Sequence, residues 1–285
     1  MKNNWLNRTE MLIGKEKMNK LQKANVIVFG LGGVGSYAVE GLVRAGIGNI
    51  TIVDKDIVDI TNINRQLIAD TETIGKAKVD VEKERIKKIN PEANVTAITE
   101  FVDKNNIEEI MARASHDFSS LLNDAQFFKN QNSLNYKSEA STNQDLNINI
   151  ANTTKLKIDY VVDAIDTVSS KLEIIKYCYI NNIPLISCMG TGNKLDASKF
   201  EITDITKTSV CPLAKVIRKE LRELKIPHLK VLYSKEEPIK TSVSSSNNLP
   251  QSETIKTNST SPASISFVPS VAGLLIAGEV VRELM

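Results

Sequence analysis

The chain has 285 residues, 41% of them hydrophobic and 25% charged, a composition typical of a soluble globular protein with room for one large core. Lysine and arginine exceed aspartate and glutamate by only 36 to 34, so nucleic-acid binding would need a local basic patch. The three cysteines have no C-x-x-C spacing, which excludes a paired zinc motif and favours a reducing cytoplasm. Neither a signal peptide nor a membrane span is indicated, so no membrane partner is expected.

Strand and helix patterns alternate along the chain. The predicted elements, in order, are strand 26–29, helix 34–45, strand 50–53, helix 76–89, strand 94–101, strand 158–163, helix 169–181, strand 184–188, strand 200–205, helix 212–224, strand 229–233 and a core helix 268–284. The continuous apolar run at 158–163 is typical of a parallel strand buried on both faces. The period-two pattern at 200–205 favours a half-exposed, antiparallel strand. The pattern predicts an α/β fold, Rossmann-like and doubly wound, with a mostly parallel sheet and an antiparallel C-terminal extension.

Two tracts interrupt this alternation. Residues 115–157 contain eight Asn and six Ser with no Gly or Pro, and 16 of the 26 residues at 241–266 are Ser, Thr or Asn. Long unpatterned segments of this composition are usually disordered. We therefore expect a single domain over 1–285 with disordered insertions at 115–157 and 241–266.

A glycine-rich turn follows the first predicted strand and opens the next helix. Gly30 permits a tight turn, Gly32 allows a phosphate close approach, and Gly35 allows the helix to pack closely on the strand. Gly33 lies in the same turn. Backbone N–H groups and the helix dipole would then face an anion. Asp54 ends the next strand, 19 residues after Gly35, at the place where a carboxylate binds a nucleotide ribose. Judged alone, this pattern fits NAD and a dehydrogenase.

The segment that follows Asp54 is more polar than a dehydrogenase needs and suits triphosphate chemistry. Arg65 can neutralise charge that develops on phosphates, Asn62 and Gln66 can orient oxygens, and Lys78 can add a point charge. Asp163 and Asp166 follow the fourth strand, where ligands bind in such sheets, and one of them could hold magnesium. The alternative is that both aspartates cap the following helix.

These motifs, in this order, resemble the adenylation domain of the ubiquitin-activating enzyme superfamily: Gly30 to Gly35, Asp54 with Asp56, Asn62 to Gln66, Gly75 to Lys78, and Asp163 to Asp166. The resemblance implies ATP and Mg²⁺ as cofactors and adenylation of a carboxylate with release of pyrophosphate. It also implies that Asp54 holds the ribose, that Asn62, Arg65 and Lys78 bind phosphates, and that Asp166 binds magnesium. Arg8 resembles an arginine that such homodimers insert into the neighbouring active site, so a homodimer is implied.

The second half distinguishes branches of that superfamily. The paired C-x-x-C motifs of the sulfur-carrier adenylyltransferases are absent, whereas segments beginning at Ser187, Cys211, Tyr233 and Phe267 resemble the tRNA threonylcarbamoyladenosine dehydratases. That branch adenylates the threonyl carboxylate of the modified adenosine beside the anticodon and closes an oxazolone ring, so the resemblance implies tRNA as the partner. A sulfur-transfer or cysteine desulfurase system is a further candidate partner. The alternative function is adenylation of the C-terminal Gly-Gly of a ubiquitin-like sulfur carrier.

A local basic patch is consistent with tRNA. Lys215, Arg218, Lys219, Arg222 and Lys225 recur at helical spacing, opposite an apolar stripe, and the first four are the candidate tRNA-binding residues. The alternative is a solvated face partly neutralised by neighbouring glutamates. Cys211 begins this helix, where a thiol pKa can be lowered, so a covalent role is a further alternative.

Overall fold

The computed structural model describes residues 4–115, 157–240 and 262–285. The strands are β1 (Asn25–Phe29), β2 (Asn49–Val53), β3 (Asn94–Ile98), β4 (Tyr160–Asp163), β5 (Leu185–Cys188), β6 (Phe200–Asp204) and β7 (Lys230–Ser234). The helices are α1 (Asn7–Ile13), α2 (Lys15–Lys23), α3 (Gly35–Ala45), α4 (Lys78–Ile89), α5 (Ile107–Ala114), α6 (Val168–Ile180), α7 (Pro212–Glu223) and α8 (Phe267–Leu284).

The strands form one sheet in the order β3-β2-β1-β4-β5-β7-β6. Every neighbouring pair is parallel except β6 and β7, which pair antiparallel from Phe200 opposite Ser234 to Asp204 opposite Lys230. The chain order reverses beside β1, where β2 lies on one side and β4 on the other. This confirms the predicted fold class, and it places the switch point, where such sheets bind ligands, beside the glycine turn.

The core lies on both faces of the sheet. On one face, α3 and α8 pack against each other and against alternate residues of β1, such as Val26 and Val28. On the other face, Ile27 and Phe29 meet α5 and α6. Every residue of β1 is buried, which explains why its sequence is a continuous apolar run rather than an alternating one.

Helices α1, α2 and α5 are absent from the predicted elements. Strand β3 ends at Ile98, three residues before its predicted end, because the chain turns away beside the edge of the sheet. Most of the two proposed insertions, 116–156 and 241–261, lies outside the described residues. Residues 262–266, assigned by sequence to the second tract, are described and contact the cleft presented below. Of the helices in the described ranges, none has the length and apolar character needed to cross a membrane.

Candidate nucleotide and acyl-transfer site

A cleft of about 780 Å³ opens at the carboxyl ends of β1, β2, β4 and β5. The predicted site residues that line it come from five separate stretches of sequence: Gly30, Gly32, Gly33, Asp54, Asp56, Asn62, Arg65, Gln66, Lys78 and Asp166. Ten of the predicted residues therefore meet in one place. Gly35 and Arg8 lie outside its lining.

The glycine turn folds tightly against the loop that follows β4. Gly30 has a φ of +87°, and a Cβ built on it would lie 2.8 Å from the carbonyl oxygen of Ala164. A Cβ on Gly35 would lie 1.7 Å from the carbonyl oxygen of Gly30. Gly35 therefore lets α3 pack closely on the turn, as its position predicts. The cleft itself is lined by Gly30, Gly32 and Gly33.

Asp54 links the end of β2 to the glycine turn. Its Oδ2 accepts a hydrogen bond from the backbone N–H of Leu31 at 2.6 Å, and its Oδ1 accepts one from the N–H of Asp56 at 2.8 Å. Burial raises the pKa of the Asp54 carboxyl, while nearby Lys78 and these two N–H groups oppose the rise. The carboxylate is held in a fixed orientation at the cleft wall, with lone pairs left for ribose hydroxyls.

A short antiparallel bridge brings Lys78 to the cleft. Ile57 pairs with Ala77, and Lys78 N–H donates to the Asp56 carbonyl at 3.0 Å. The Lys78 ammonium lies 3.1 Å from Asp56 Oδ2, and its side chain is 6% exposed while that of Asp56 is 51% exposed. The sequence allowed Lys78 to be a solvated lysine, but the structure shows a buried cation with one carboxylate partner at the cleft.

Residues 59–66 form a compact turn that presents three polar side chains. Asn62 is buried, and its Oδ1 accepts from the N–H of Asp59 at 3.1 Å. Arg65 Nη1 donates to the Thr61 carbonyl at 2.8 Å and to Asn64 Oδ1 at 2.9 Å. A guanidinium has five N–H donors, and the others on Arg65 have no hydrogen-bond partner among the described residues. Gln66 is also buried, and its Oε1 has no hydrogen-bond partner among the described residues.

Asp163 and Asp166 have different environments. Asp166 is exposed and lines the cleft. Asp163 is fully buried: its Oδ2 lies 2.7 Å from Lys171 Nζ and accepts from the Ser187 hydroxyl at 2.6 Å. Lys171 also donates to the Cys188 carbonyl at 2.9 Å. Asp163 is therefore committed to a buried ion pair, and of the two aspartates only Asp166 lines the cleft.

The opposite wall of the cleft is mostly backbone and apolar. It includes Met189, Gly190 and Gly192 after β5 and Pro262 before α8. A Cβ on Gly192 would lie 2.6 Å from Pro262 Cβ. This close approach shows that residues 262–266 pack on the cleft, a contact that their low-complexity sequence hides.

Two asparagines fix this segment. Asn193 N–H donates to the Ala263 carbonyl at 2.7 Å, and its side chain accepts from Ala263 N–H at 2.8 Å. Asn64 Nδ2 donates to the Ser264 carbonyl at 3.1 Å. Sequence reasoning missed both roles. Asn193 has a left-handed φ of +58°, a conformation that Asn tolerates well.

The comparisons with known proteins agree with this geometry. The ThiF family model matches residues 6–285. The chain belongs to the ThiF family. This family membership confirms the resemblance drawn from the glycine turn and the polar segment after Asp54.

Among ThiF-family relatives, the tRNA threonylcarbamoyladenosine dehydratase of Bacillus subtilis is 39% identical over 98% of this chain and 93% of its own length. The Escherichia coli protein of the same name is 35% identical over 75% of this chain and 64% of its own length. A crystal structure of the E. coli tRNA N6-threonylcarbamoyladenosine dehydratase in complex with ATP matches with a TM-score of 0.72, 28% identity, 98% of this chain and 93% of the other.

Arg8 lies on α1 and is exposed. Helix α1 buries none of its residues, and Met11 and Leu12 on it are 86% and 85% exposed. Within a single copy of this ThiF-family chain, Arg8 is therefore outside the cleft and beside uncovered apolar side chains.

The predicted basic helix is α7, with Lys215, Lys219 and Arg222 exposed. Arg218 is half-buried and donates to the Thr208 carbonyl at 2.8 Å, so it is pinned rather than free as the spacing suggested. Cys211 is 3% exposed, which leaves no access for the covalent role considered from the sequence. Burial raises the pKa of the Cys188 thiol to about 12.

Within the described residues, no group of three or more His, Cys, Asp and Glu side chains could hold a metal. Mg²⁺ in nucleotide sites is typically held by one or two carboxylates and completed by phosphate oxygens and water. The cleft has two exposed aspartates, Asp56 and Asp166; Asp56 is paired with Lys78, and the carboxylate of Asp166 fits this mode of binding.

Proposed function

We propose that this chain is an ATP-dependent enzyme that dehydrates threonylcarbamoyladenosine in tRNA to its cyclic oxazolone form through carboxylate adenylation. One observation carries the proposal: Arg65, Lys78 and Asp166 meet the glycine turn in a single cleft. Two cations and a carboxylate beside a phosphate-binding turn suit cleavage of a triphosphate. The named relatives supply the substrate, which the cleft alone does not specify.

Different cleft residues would contact the ribose and the phosphates of the bound nucleotide. Asp54 would accept hydrogen bonds from the ribose, since its carboxylate is fixed at the end of β2. The N–H groups around Gly32 would meet the phosphates. Arg65 and Lys78 would neutralise the charge that develops on them, and Asn62 and Gln66 would orient phosphate oxygens.

The reaction balances in two steps. A threonyl carboxylate oxygen bonds to the α-phosphorus of ATP, and the bond to the bridging oxygen breaks, so pyrophosphate leaves with the electron pair. The carbamoyl oxygen then attacks the activated acyl carbon, AMP leaves with the former carboxylate oxygen, and a carbamoyl nitrogen loses its proton. Because the nucleophile is tethered to the acyl group, ring closure has a high effective concentration, and no cysteine is required.

Asp166 would hold Mg²⁺ together with phosphate oxygens of bound ATP. The bound ion would supply further neutralisation of phosphate charge. Among the other cleft-lining carboxylates, Asp56 is paired with Lys78, Asp54 is held by two backbone N–H groups, and Glu100 is paired with Arg113, which favours Asp166 for this role.

The tRNA would lie along α7. Its amino-terminal turn supplies Leu213 to the cleft, and Lys215, Lys219 and Arg222 follow on the exposed side of the same helix. Lysine and arginine on an exposed face are the usual contacts to an RNA backbone. Arg218 would contribute through the N–H groups that Thr208 leaves free.

A homodimer would complete the site. Arg8 is exposed beside Met11 and Leu12, so a second copy that covers these apolar side chains could deliver its Arg8 to the cleft. Mixing inactive Arg8→Ala and Arg65→Ala chains tests this arrangement. If Arg8 acts on the neighbouring copy, mixed dimers carry one intact site and activity returns to about a quarter of wild type; no recovery contradicts it. A sulfur-transfer or cysteine desulfurase partner stays a prediction from the resemblance.

The function is tested by incubating the protein with threonylcarbamoyladenosine-containing tRNA, ATP and Mg²⁺, then analysing the nucleosides by mass spectrometry. We expect the modified nucleoside to lose one water and pyrophosphate to appear, with Arg65→Ala as the inactive control. Unchanged tRNA together with transfer of AMP to a peptide ending in Gly-Gly would overturn the proposal in favour of a carrier-protein adenylyltransferase.

A further inference from the structure

A second cleft, of about 460 Å³, lies at the far end of α7 from the nucleotide site. It is formed by the last turns of α7, the turn after β6, and the residues that lead into β7. Because β7 begins at Lys230, this cleft lies toward the amino ends of the parallel strands. The nucleotide cleft lies at their carboxyl ends, and α7 spans the distance between them.

Its charged lining residues are all cationic. Arg218, Arg222 and Lys225 line it, and no carboxylate does so within the described chain. Neither Arg222 nor Lys225 has an ion-pair partner in the described residues, whereas Lys219 on the same helix lies 3.9 Å from Glu223. The carbonyl end of a helix carries about half a negative charge, so three full positive charges leave a clear excess for an anion.

Two of the cationic residues of the second cleft, Arg218 and Lys225, have defined local geometry. Arg218 Nη1 donates to the Thr208 carbonyl at 2.8 Å and also bonds the Thr208 hydroxyl, which fixes the guanidinium and leaves its other N–H groups available. Lys225 has a left-handed φ of +56° just after the helix, a position usually occupied by Gly or Asn. Lys225 in this position lines the second cleft beside Arg222.

The size and the apolar floor of the second cleft indicate a ligand that is larger than a simple anion. Ile205, Leu221 and Ile226 form an apolar floor beneath the cationic rim, and the volume lies in the range of sites that take a whole small molecule. A nucleotide offers this combination, with a phosphate for the rim and a sugar or base face for the floor.

Helix α7 connects the two clefts. Leu213 lines the nucleotide cleft and Arg222 lines the second one, and nine residues of α-helix extend about 13 Å. An RNA strand that leaves the nucleotide cleft along α7 would pass Lys215 and Lys219 before it reaches the second cleft.

We infer that the second cleft binds a backbone phosphate of the tRNA, with its ribose or base on the apolar floor, a few nucleotides from the one that reacts. The inference rests on the proposed tRNA substrate. The second cleft would then be a tRNA contact in addition to the exposed face of α7. Lys225 and Arg218, which is bound to Thr208, line this cleft.

The test uses Arg222→Ala/Lys225→Ala in the full chain, with tRNA carrying threonylcarbamoyladenosine as the probe. Loss of one or two phosphate contacts should make the slope of log K against log salt shallower by about 1 to 2 and raise the KM for tRNA about tenfold. ATP affinity, measured directly, reports whether the variant is folded. The matched control is Lys23→Ala/Lys88→Ala, which removes two exposed lysines near the amino ends of β1 and β3 and should leave slope and KM as in the wild type.

The outcomes separate the two proposals. If wild-type protein fails to convert tRNA, the proposed function fails. If wild-type protein converts tRNA and the Arg222→Ala/Lys225→Ala variant keeps the wild-type KM and salt slope, the inference fails. Loss of inorganic phosphate binding in that variant, with tRNA binding unchanged, would also overturn it, because the cleft would then be a small-anion site.

Discussion

The two halves of the sheet contribute to the nucleotide cleft in different ways. The half up to β3 supplies most of its charged side chains, including Asp54, Arg65 and Lys78. The half from β4 onward supplies backbone and apolar surface such as Met189 and Gly190, and Asp166 is its one charged lining residue in the described chain. The first half thus supplies most of the charge in the cleft; under the proposed function it would recognise the phosphates, and the second half would form a wall for the substrate.

The halves also differ in how their charges are held. In the first half, Asp54 and Lys78 both line the cleft. Asp163 and Lys171 form a fully buried pair that connects the ends of β4 and β5 through Ser187 and the Cys188 carbonyl. Removing Arg65 in the first half should therefore affect chemistry alone, whereas removing Lys171 in the second half should affect the fold.

The largest expected effect is on catalysis, from Arg65→Ala. Loss of a group that stabilises developing phosphate charge typically costs 10²- to 10³-fold in rate, so pyrophosphate release should fall by about that factor. The free energy of unfolding, from urea titration, should change by less than about 0.5 kcal/mol. The control is Arg44→Ala, an exposed arginine on α3. Wild-type turnover in Arg65→Ala would remove Arg65 from the mechanism.

The second prediction concerns the buried pair. Lys171→Met leaves the Asp163 carboxylate without its ionic partner, and breaking a buried pair in this way usually costs 3 to 5 kcal/mol. We expect a loss of about that size in urea denaturation. Adding Asp163→Leu should recover much of it, since the double change removes both charges. Losses that simply add would contradict direct coupling of the two residues.

The third prediction separates two glycines of the same turn. Gly35→Ala places a methyl group 1.7 Å from the Gly30 carbonyl oxygen, and overpacking of this kind costs about 1 to 3 kcal/mol. Gly32→Ala meets nothing nearer than Gln66 Nε2 at 3.9 Å. We expect Gly35→Ala to lower the unfolding free energy and Gly32→Ala to lower ATP affinity at nearly unchanged stability. The opposite assignment would show that Gly32 holds the turn together.

The smallest effect is a pH dependence of stability from Glu82 on α4. Its carboxyl is fully buried without a hydrogen-bond partner among the described residues, and burial, with nearby Glu40, raises its pKa well above 4.5. The folded state therefore binds this proton more tightly, and the stability it contributes is lost as pH rises from about 4.5 through the raised pKa.

Relative to wild type, Glu82→Gln should thus be more stable at pH 8 than at pH 4.5, by about 1 kcal/mol or more. Urea titrations at the two pH values measure the difference. A matched change at exposed Glu84 on the same helix should have no such dependence. An equal difference at both pH values would show that Glu82 has an ordinary pKa.

The comparison of halves also explains what the sequence could predict. The glycine turn and the polar residues after Asp54 are local signals, because each follows a strand end, and parallel strand ends meet at one edge of the sheet. The cleft therefore gathers Asp54, Arg65 and Lys78 as expected. The nucleotide-site residues could be predicted because each lies in a short motif that is contiguous in sequence.

The second half depends on contacts between distant residues. The ionic partner of Asp163 is eight residues away on α6, and the Ser187 hydroxyl that donates to it is on β5, so no periodicity indicates the pair. Residues 262–266 look like part of a Ser- and Thr-rich tract, yet Asn64 and Asn193 bind them across about 200 and 70 positions of sequence. Arg218 looked like a free cation because helical spacing gives no sign of the Thr208 contact.

The central claim is that the carboxylate is activated by adenylation, and oxygen labelling tests it most directly. tRNA whose threonylcarbamoyl carboxylate carries ¹⁸O is incubated with the protein, ATP and Mg²⁺, and the products are analysed by mass spectrometry. The account predicts one ¹⁸O in AMP, because AMP leaves with a carboxylate oxygen. Label in inorganic phosphate with formation of ADP would instead show that the carboxylate attacks the γ-phosphorus, and would contradict the account.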